Sequence, residues 1–111
     1  RPLDPKRLSR VTDFINASVE RDFTVNELAA VACMSPAHFS RSFKAATGTA
    51  PHEYVSRQRL DTAKRLVLTS DRLLVDIAYA TGFSSQANFN RAFRKAVGTT
   101  PSAYRAQKLR D

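Results

Sequence analysis

The chain repeats itself. A stretch reading Phe39-Ser-Arg-Ser-Phe43-Lys-Ala-Ala-Thr-Gly48-Thr-Ala-Pro51-His-Glu-Tyr54 returns fifty residues later as Phe89-Asn-Arg-Ala-Phe93-Arg-Lys-Ala-Val-Gly98-Thr-Thr-Pro101-Ser-Ala-Tyr104. Both copies keep two phenylalanines four apart, an arginine between them, and then Gly-Thr-x-Pro-x-x-Tyr. A spacing of four puts both rings on one face of a helix. The glycine ends that helix in a left-handed conformation, and the proline opens the next one at a position where its missing N–H costs nothing. Each copy is preceded by a short apolar helical pattern and a turn ending in serine. Whatever one copy builds, the other builds too.

The rest of the chain follows the same period. Asp4-Pro5 marks a helix start, after which Leu8, Val11, Phe14/Ile15 and Val19 form one apolar stripe. Thr24-Val-Asn-Glu27 has the capping-box spacing, a hydroxyl bonding forward and a carboxylate reaching back, and predicts a second helix over about Val25 to Ala32. Cys33-Met34-Ser35 is the turn, Ser35 caps a third helix beginning at Pro36, and Gly48 terminates it. Pro51 opens a fourth helix to about Leu68, with Tyr54, Leu60, Ala63 and Leu66/Val67 on one face. The polar tract Thr69-Ser-Asp-Arg72 breaks the pattern. A fifth helix is expected over about Val75 to Ala80, a sixth over Gln86 to Val97, and a short last one from Pro101. Alternating, strand-like patterning is absent, so the predicted fold is all-α.

The two turns differ. Ala29 matches Ala78 at an offset of 49, whereas Phe39 matches Phe89 at 50, so the second turn is one residue longer. Gly82 takes a positive φ freely, but its counterpart is Cys33, where a left-handed backbone costs roughly 1–2 kcal/mol. The first turn is therefore strained or bends in another way. Beside Met34, Cys33 is expected to be a buried structural thiol.

With 111 residues, 42% of them hydrophobic, the chain is long enough for a core without disulfides. One cysteine excludes an internal disulfide and a Cys-rich zinc module and fits a reducing compartment, consistent with a cytoplasmic location. No apolar run approaches the roughly eighteen residues that span a bilayer, and no secretory leader is visible. His38 and His52 lack further ligands at metal spacing, and neither metal nor cofactor is expected. Paired carboxylates, a nucleophile with its base, and a phosphate-cradling glycine loop are all missing, which argues against an enzyme. A net charge of +8 points instead to a polyanionic partner. Residues 1–55 hold seven Lys/Arg against six Asp/Glu, a balance of +1, and residues 56–111 hold eleven against four, a balance of +7. On this count the second half supplies most of the attraction. Two matched helix–turn–helix units on a basic chain suit a long, periodic, anionic ligand, and duplex DNA is the expected one.

The residues also carry a family resemblance. Ile77-Ala-x-x-x-Gly-Phe-Ser-Ser-Gln-x-x-Phe89-x-Arg-x-Phe93-Arg-Lys-x-x-Gly98-x-Thr-Pro101-x-x-Tyr104-Arg105 resembles the signature of the AraC/XylS family of bacterial transcription regulators. Leu28-Ala-x-x-Ala-Cys-Met-Ser35-x-x-x-Phe39-x-Arg-x-Phe43-Lys is similar to that family's first, more variable helix–turn–helix, and Arg59-Leu60-x-x-Ala63-x-x-Leu66 to its linker helix. The match runs over about residues 6 to 107. It implies seven helices in two homeodomain-like units, about 5–55 and 72–107, joined by a linker helix over 51–69. It also implies an N-terminal effector-binding or dimerisation domain outside this stretch, and a chain beginning at Arg1 rather than Met reads as a fragment of such a protein. The fragment itself is expected to be monomeric, with dimerisation belonging to the full-length protein and RNA polymerase as a further partner of an activator.

By position, the base-reading residues would be Ala37, Ser40 and Arg41 on a recognition helix over about 36–47, and Gln86, Ala87, Asn90 and Arg91 on one over 86–97. Arginine pairs with guanine O6 and N7, Gln or Asn with adenine N6 and N7, and alanine touches a thymine methyl. Arg41 and Arg91 alternatively brace the fold. Lys44, Arg57, Arg94 and Lys95 are candidate phosphate contacts or simply a solvated charged face. Thr49, Thr99 and Thr100 precede helix N-termini, where free N–H groups hold phosphates and where a threonine also serves as a plain cap. A linker helix of some eighteen residues spans about 27 Å, which with the flanking units brings the recognition helices near the roughly 34 Å of one DNA turn.

Overall fold

The computed structural model describes residues 1–21 and 23–110, with side chains as far as Lys108. Among the described residues seven helices follow one another: α1 (Pro5–Ala17), α2 (Val25–Val31), α3 (Pro36–Thr47), α4 (Pro51–Thr69), α5 (Leu74–Ala80), α6 (Gln86–Val97) and α7 (Pro101–Arg110). Among the described residues no strand occurs. The chain divides into two compact units, Arg1–Gln58 and Arg59–Asp111. The all-α expectation holds, and each predicted helix is present within a residue or so of its predicted bounds.

The first unit packs Val11 and Ile15 of α1, Leu28 and Ala29 of α2, and Phe39 and Phe43 of α3 into one core, with Leu3 and Val55 at its edges. Within the second unit, Ala63 and Val67 of α4 stand where α1 supplies its stripe in the first. They meet Ile77 and Ala78 of α5 and Phe89 and Phe93 of α6. The aromatic residues of the repeat form matching chains. Phe39 lies 5.5 Å from Phe43, which meets Tyr54 edge-on at 5.2 Å. Phe89 lies 5.7 Å from Phe93, which meets Tyr104 at 5.4 Å. All four phenylalanines are fully buried, each worth about 1.5–3 kcal/mol of apolar transfer. These rings are core, not stacking platforms.

Local signals set the helix ends. Asp4 accepts the Arg7 amide N–H at 3.0 Å, and that bond holds the Asp4 carboxyl below the usual carboxylate range. Ser35 and Ser85 cap α3 and α6 by accepting from the amides of His38 and Asn88. Gly48 and Gly98 close the same helices at φ 78° and 91°. Thr24 accepts from the Glu27 amide, as the capping box requires. The Glu27 carboxylate does not reach back, however. It takes the Arg21 guanidinium at 3.0 Å, an opposite charge in place of a neutral amide.

The two turns use one hydrogen-bond pattern. Cys33 and Met34 donate to Ala30 and Ala29, and Gly82 and Phe83 donate to Tyr79 and Ala78. Cys33 therefore adopts the left-handed conformation, φ 58°, that Gly82 takes at φ 87°. The first turn is strained. Contrary to expectation Cys33 is exposed: the left-handed bend turns its side chain outward, and half-buried Met34 fills the space behind it. The extra residue of the second turn comes after this shared bend and is Ser84.

The last two residues of the signature, Tyr104-Arg105, divide their work. Tyr104 joins the aromatic chain. Arg105 donates to three backbone carbonyls at the end of α4 and just beyond, Val67 at 2.9 Å, Ser70 at 3.2 Å and Arg72 at 2.7 Å. Lys108 adds Leu68 at 2.6 Å. A helix C-terminus leaves carbonyls without intrahelical donors, and α7 supplies them here.

Replacing Cys33 by Gly should raise stability by about 0.5–1 kcal/mol, the strain of a left-handed non-glycine residue less the extra chain entropy of glycine, measured by urea unfolding. Arg105→Ala should lower it by about 2–3 kcal/mol, since hydrogen bonds to charged groups are individually strong. A loss below 0.5 kcal/mol, on the order expected of a plain surface residue, would show that the clamp is not structural.

Candidate nucleic-acid interface

The buried phenylalanines decide which way the two helices face. With Phe39 and Phe43 turned inward, α3 leaves Ala37, Arg41 and Lys44 exposed and Ser40 half-buried. On α6, Phe89 and Phe93 leave Gln86, Ala87, Arg91, Arg94 and Lys95 exposed and Asn90 half-buried. Each candidate reading set thus lies together on one helix, toward its N-terminal half and away from the core. These helices are short and capped by serine, so their first turns are firmly formed.

The arginines of the two copies stand differently. Among the described residues, Arg41 enters no ion pair and no side-chain hydrogen bond. Arg91 donates through Nη2 to Asn88 Oδ1 one turn back, and Asn88 Nδ2 in turn donates to Ser84 Oγ at 2.5 Å. Ser84 is the extra residue of the second turn. The insertion therefore builds a short polar relay, Ser84–Asn88–Arg91, along the outer face of α6. Sequence reasoning overlooked Asn88, and the shift of offset from 49 to 50 was the available signal. In the first copy the position of Asn88 is occupied by His38, which is exposed.

The phosphate candidates separate in a similar way. Arg57, Lys44, Arg94 and Lys95 are exposed and enter no ion pair among the described residues. Thr100 accepts the Ala103 amide N–H at 3.1 Å, which makes it a cap of α7, and Thr99 beside it is half-buried. Thr49 departs from the expectation of a phosphate contact. It is buried at 9% exposure, and its amide donates to the Thr47 hydroxyl at 3.2 Å. The residue before Pro51 is Ala50, so no hydroxyl holds the start of α4, and Thr49 closes the turn instead.

The charge count needs the same correction. Arg59 donates to the Gly82 carbonyl at 3.3 Å, and Arg105 and Lys108 are held by the carbonyls around the end of α4. Three cations of the second half are thus tied to its own backbone. The excess of +7 overstates what is available to a ligand.

A family model described as "Helix-turn-helix domain" matches residues 28–107, from α2 into α7. The chain belongs to the AraC-type helix–turn–helix DNA-binding domains. It is similar to the DNA-binding domain of AdpA, a global transcriptional factor whose crystal structure holds a target DNA, at 37% identity and a TM-score of 0.87 over 91% of each chain. It is also similar to a transcriptional regulator with an AraC-type DNA-binding domain from Chromobacterium violaceum, at 29% identity and a TM-score of 0.85, covering 93% of this chain and 92% of that one. A curated relative, the probable transcriptional regulator LumQ of Photobacterium leiognathi, is 36% identical over 87 residues, 74% of this chain. The chain spans 35% of that relative's length. As a member of this family it is a helix–turn–helix domain of the DNA-binding kind found in transcriptional regulators.

Proposed function

We propose that this chain reads a bacterial operator as a monomer, with α3 and α6 in successive major grooves of one duplex. The observation that carries the reading is the duplicated recognition helix: both copies bury a phenylalanine pair and turn outward an arginine and an alanine, beside a serine in the first and amide side chains in the second. In a helix–turn–helix the N-terminal part of the second helix meets the base edges. Arg41 and Arg91 are assigned to guanine, Gln86 and Asn90 to adenine, Ala37 and Ala87 to thymine methyls, and Ser40 to either kind of edge. Lys44, Arg57, Arg94 and Lys95, with Thr99 and Thr100 at the start of α7, are assigned to phosphates. Thr49 is left out because it is buried. We assign the chain no catalysis, metal or cofactor. The DNA lies in the bacterial cytoplasm, and no described helix is long and apolar enough to cross a membrane. Contact with RNA polymerase and dimerisation are assigned to the longer protein.

Selection of bound sequences from random duplexes should yield one motif with two blocks about 10 bp apart, centre to centre. Footprinting with measured stoichiometry should give one chain per site. Obligate two-to-one binding, or protection of a single groove segment, would contradict the monomer reading.

On that site Arg91→Ala should cost about 1–3 kcal/mol and relax preference at one base position. Arg94→Ala should weaken all sequences alike and make the salt dependence shallower. The same uniform loss from both variants would remove the distinction between reading and holding residues.

A further inference from the structure

The residues before α1 form an arm seated on the recognition helix of the first unit. Leu3 is buried at 6% exposure and joins the core shared with Phe39 and Phe43. Its amide donates to the Ser42 carbonyl in the middle of α3 at 3.0 Å. Asp4, next in the chain, caps α1 and pairs with Arg7 at 3.6 Å. The arm is thereby fixed at Leu3 and Asp4, and Arg1 lies beside α3, near His38 and Ser42. A cleft of about 290 Å³ opens there, lined among others by Arg1, Arg7, Met34, His38 and Ser42. Among the described residues the exposed Arg1 side chain enters no hydrogen bond or ion pair.

The position of the arm answers a difference between the two recognition helices. A helix is about 10–12 Å across and the major groove about 12 Å wide, so a helix lying in the groove meets phosphates on both flanks. At 3.6 residues per turn, with the phenylalanine pair facing inward, one flank of α6 carries Asn90 and Arg94 and the other carries Asn88 and Lys95. On α3 the first flank carries Ser40 and Lys44, but the second carries His38 and Ala45. The second copy thus has a cation on each flank, and the first copy lacks one. His38 and Ser42, which line the cleft under the arm, lie on the flank where the cation is missing.

We infer that residues 1–4 form a DNA-contacting arm in which Arg1, supported by Arg7 in the first turn of α1, binds backbone phosphates on the flank of α3 that Ala45 leaves uncharged. The Asp4 carboxylate, the acidic group of the arm, is turned to the Arg7 amide and guanidinium and so offsets part of Arg7's charge. Arg1 is the principal contact. The inference rests on the proposal that α3 enters a major groove.

The test uses this chain and a duplex of about 30 bp carrying the motif it selects from random sequences. Arg1→Ala combined with Arg7→Ala should weaken binding five- to tenfold and make the slope of log K against log salt shallower by about one to two, one counterion being released per neutralised phosphate. Phosphate-ethylation interference should vanish at one or two positions beside the α3 half-site and persist elsewhere. Leu3→Asp, which unseats the arm with both arginines intact, should give the same loss. Adding Ala45→Lys to the double variant should restore most of the slope, because it puts a cation on the flank where α6 has Lys95. Tight binding with an unchanged slope and an unchanged interference pattern would overturn the arm while leaving the α3 reading in place. A chain that enriches no duplex at all would overturn both.

Discussion

The pair of phenylalanines spaced by four residues is the constraint on which the rest of each unit depends. A helix in a small domain can rotate about its own axis unless a bulky inward side fixes it. Here two rings per helix, each with no exposure, do so. Rotation by one residue, about 100°, would place a phenylalanine in water and a charged or polar neighbour in the core. The penalty for burying an unpaired charge exceeds the gain from any single contact on the outer face. The outer face therefore inherits its orientation from the inner one. Tyr54 and Tyr104 extend the same lock to the following helices by meeting Phe43 and Phe93 at 5.2 and 5.4 Å. A substitution on the outer row of α3 or α6 can thus change the surface presented without moving the helix that presents it.

Copying a unit does not copy its surroundings. The first copy begins from an independent helix, α1, with an arm before it. The second must use the far half of α4, a helix already committed to the first core at Val55. That shared helix ends in carbonyls lacking intrahelical donors, followed by a polar tract with little to bury. Arg105 and Lys108 answer this from α7. No counterpart is needed after the first copy, and Tyr54 is followed by a valine that enters the core. The same logic explains the fate of the basic excess. Cations counted along a sequence look equally available, but a guanidinium with five donors is also the side chain best suited to gathering several carbonyls at once.

Much of the fold was legible because it rests on local rules. Serine caps, prolines at first helical positions and glycine terminators act within four residues of themselves, and all were found where their spacing placed them. The outer faces followed from the inner ones, so the exposure of Arg41, Arg91, Arg94 and Lys95 was legible too. What escaped depended on partners remote in sequence or on a choice between near-equal partners. Glu27 had a backbone amide within reach, but Arg21 offered a charge. Thr49 looked like a cap until the neighbouring Thr47 hydroxyl took its amide. Arg105 reaches carbonyls more than thirty residues away in the chain, and no period reveals such a bond. Cys33 shows a third case: its backbone conformation was anticipated from Gly82, yet the consequence for the side chain, exposure, was not.

If α3 and α6 read bases as proposed, the relay Ser84–Asn88–Arg91 bears on how the two copies divide recognition. An arginine that waits in a fixed direction loses less side-chain freedom on meeting its base than one that samples solvent, and that loss is of order 0.5–1.5 kcal/mol for a long side chain. Arg91 is directed in this way by Asn88, itself bonded to the inserted Ser84; Arg41, with His38 at the matching position, is not. Against this, an Arg91 that reads a base as proposed exchanges its bond to Asn88 for one to DNA, so part of the advantage returns as the cost of a broken hydrogen bond. The two effects are similar in size, so rigidity alone leaves the affinity nearly unchanged. Its effect falls on discrimination, because a directed guanidinium fits one base geometry well and adapts poorly to others, whereas a mobile one accommodates several. On this reasoning the second copy is the stricter reader and the first the more permissive one. The difference comes from Asn88 standing where the first copy has His38, together with one added residue in the turn, and the excess of charge in the second half, three of whose cations are held by its own carbonyls, is not needed to account for it.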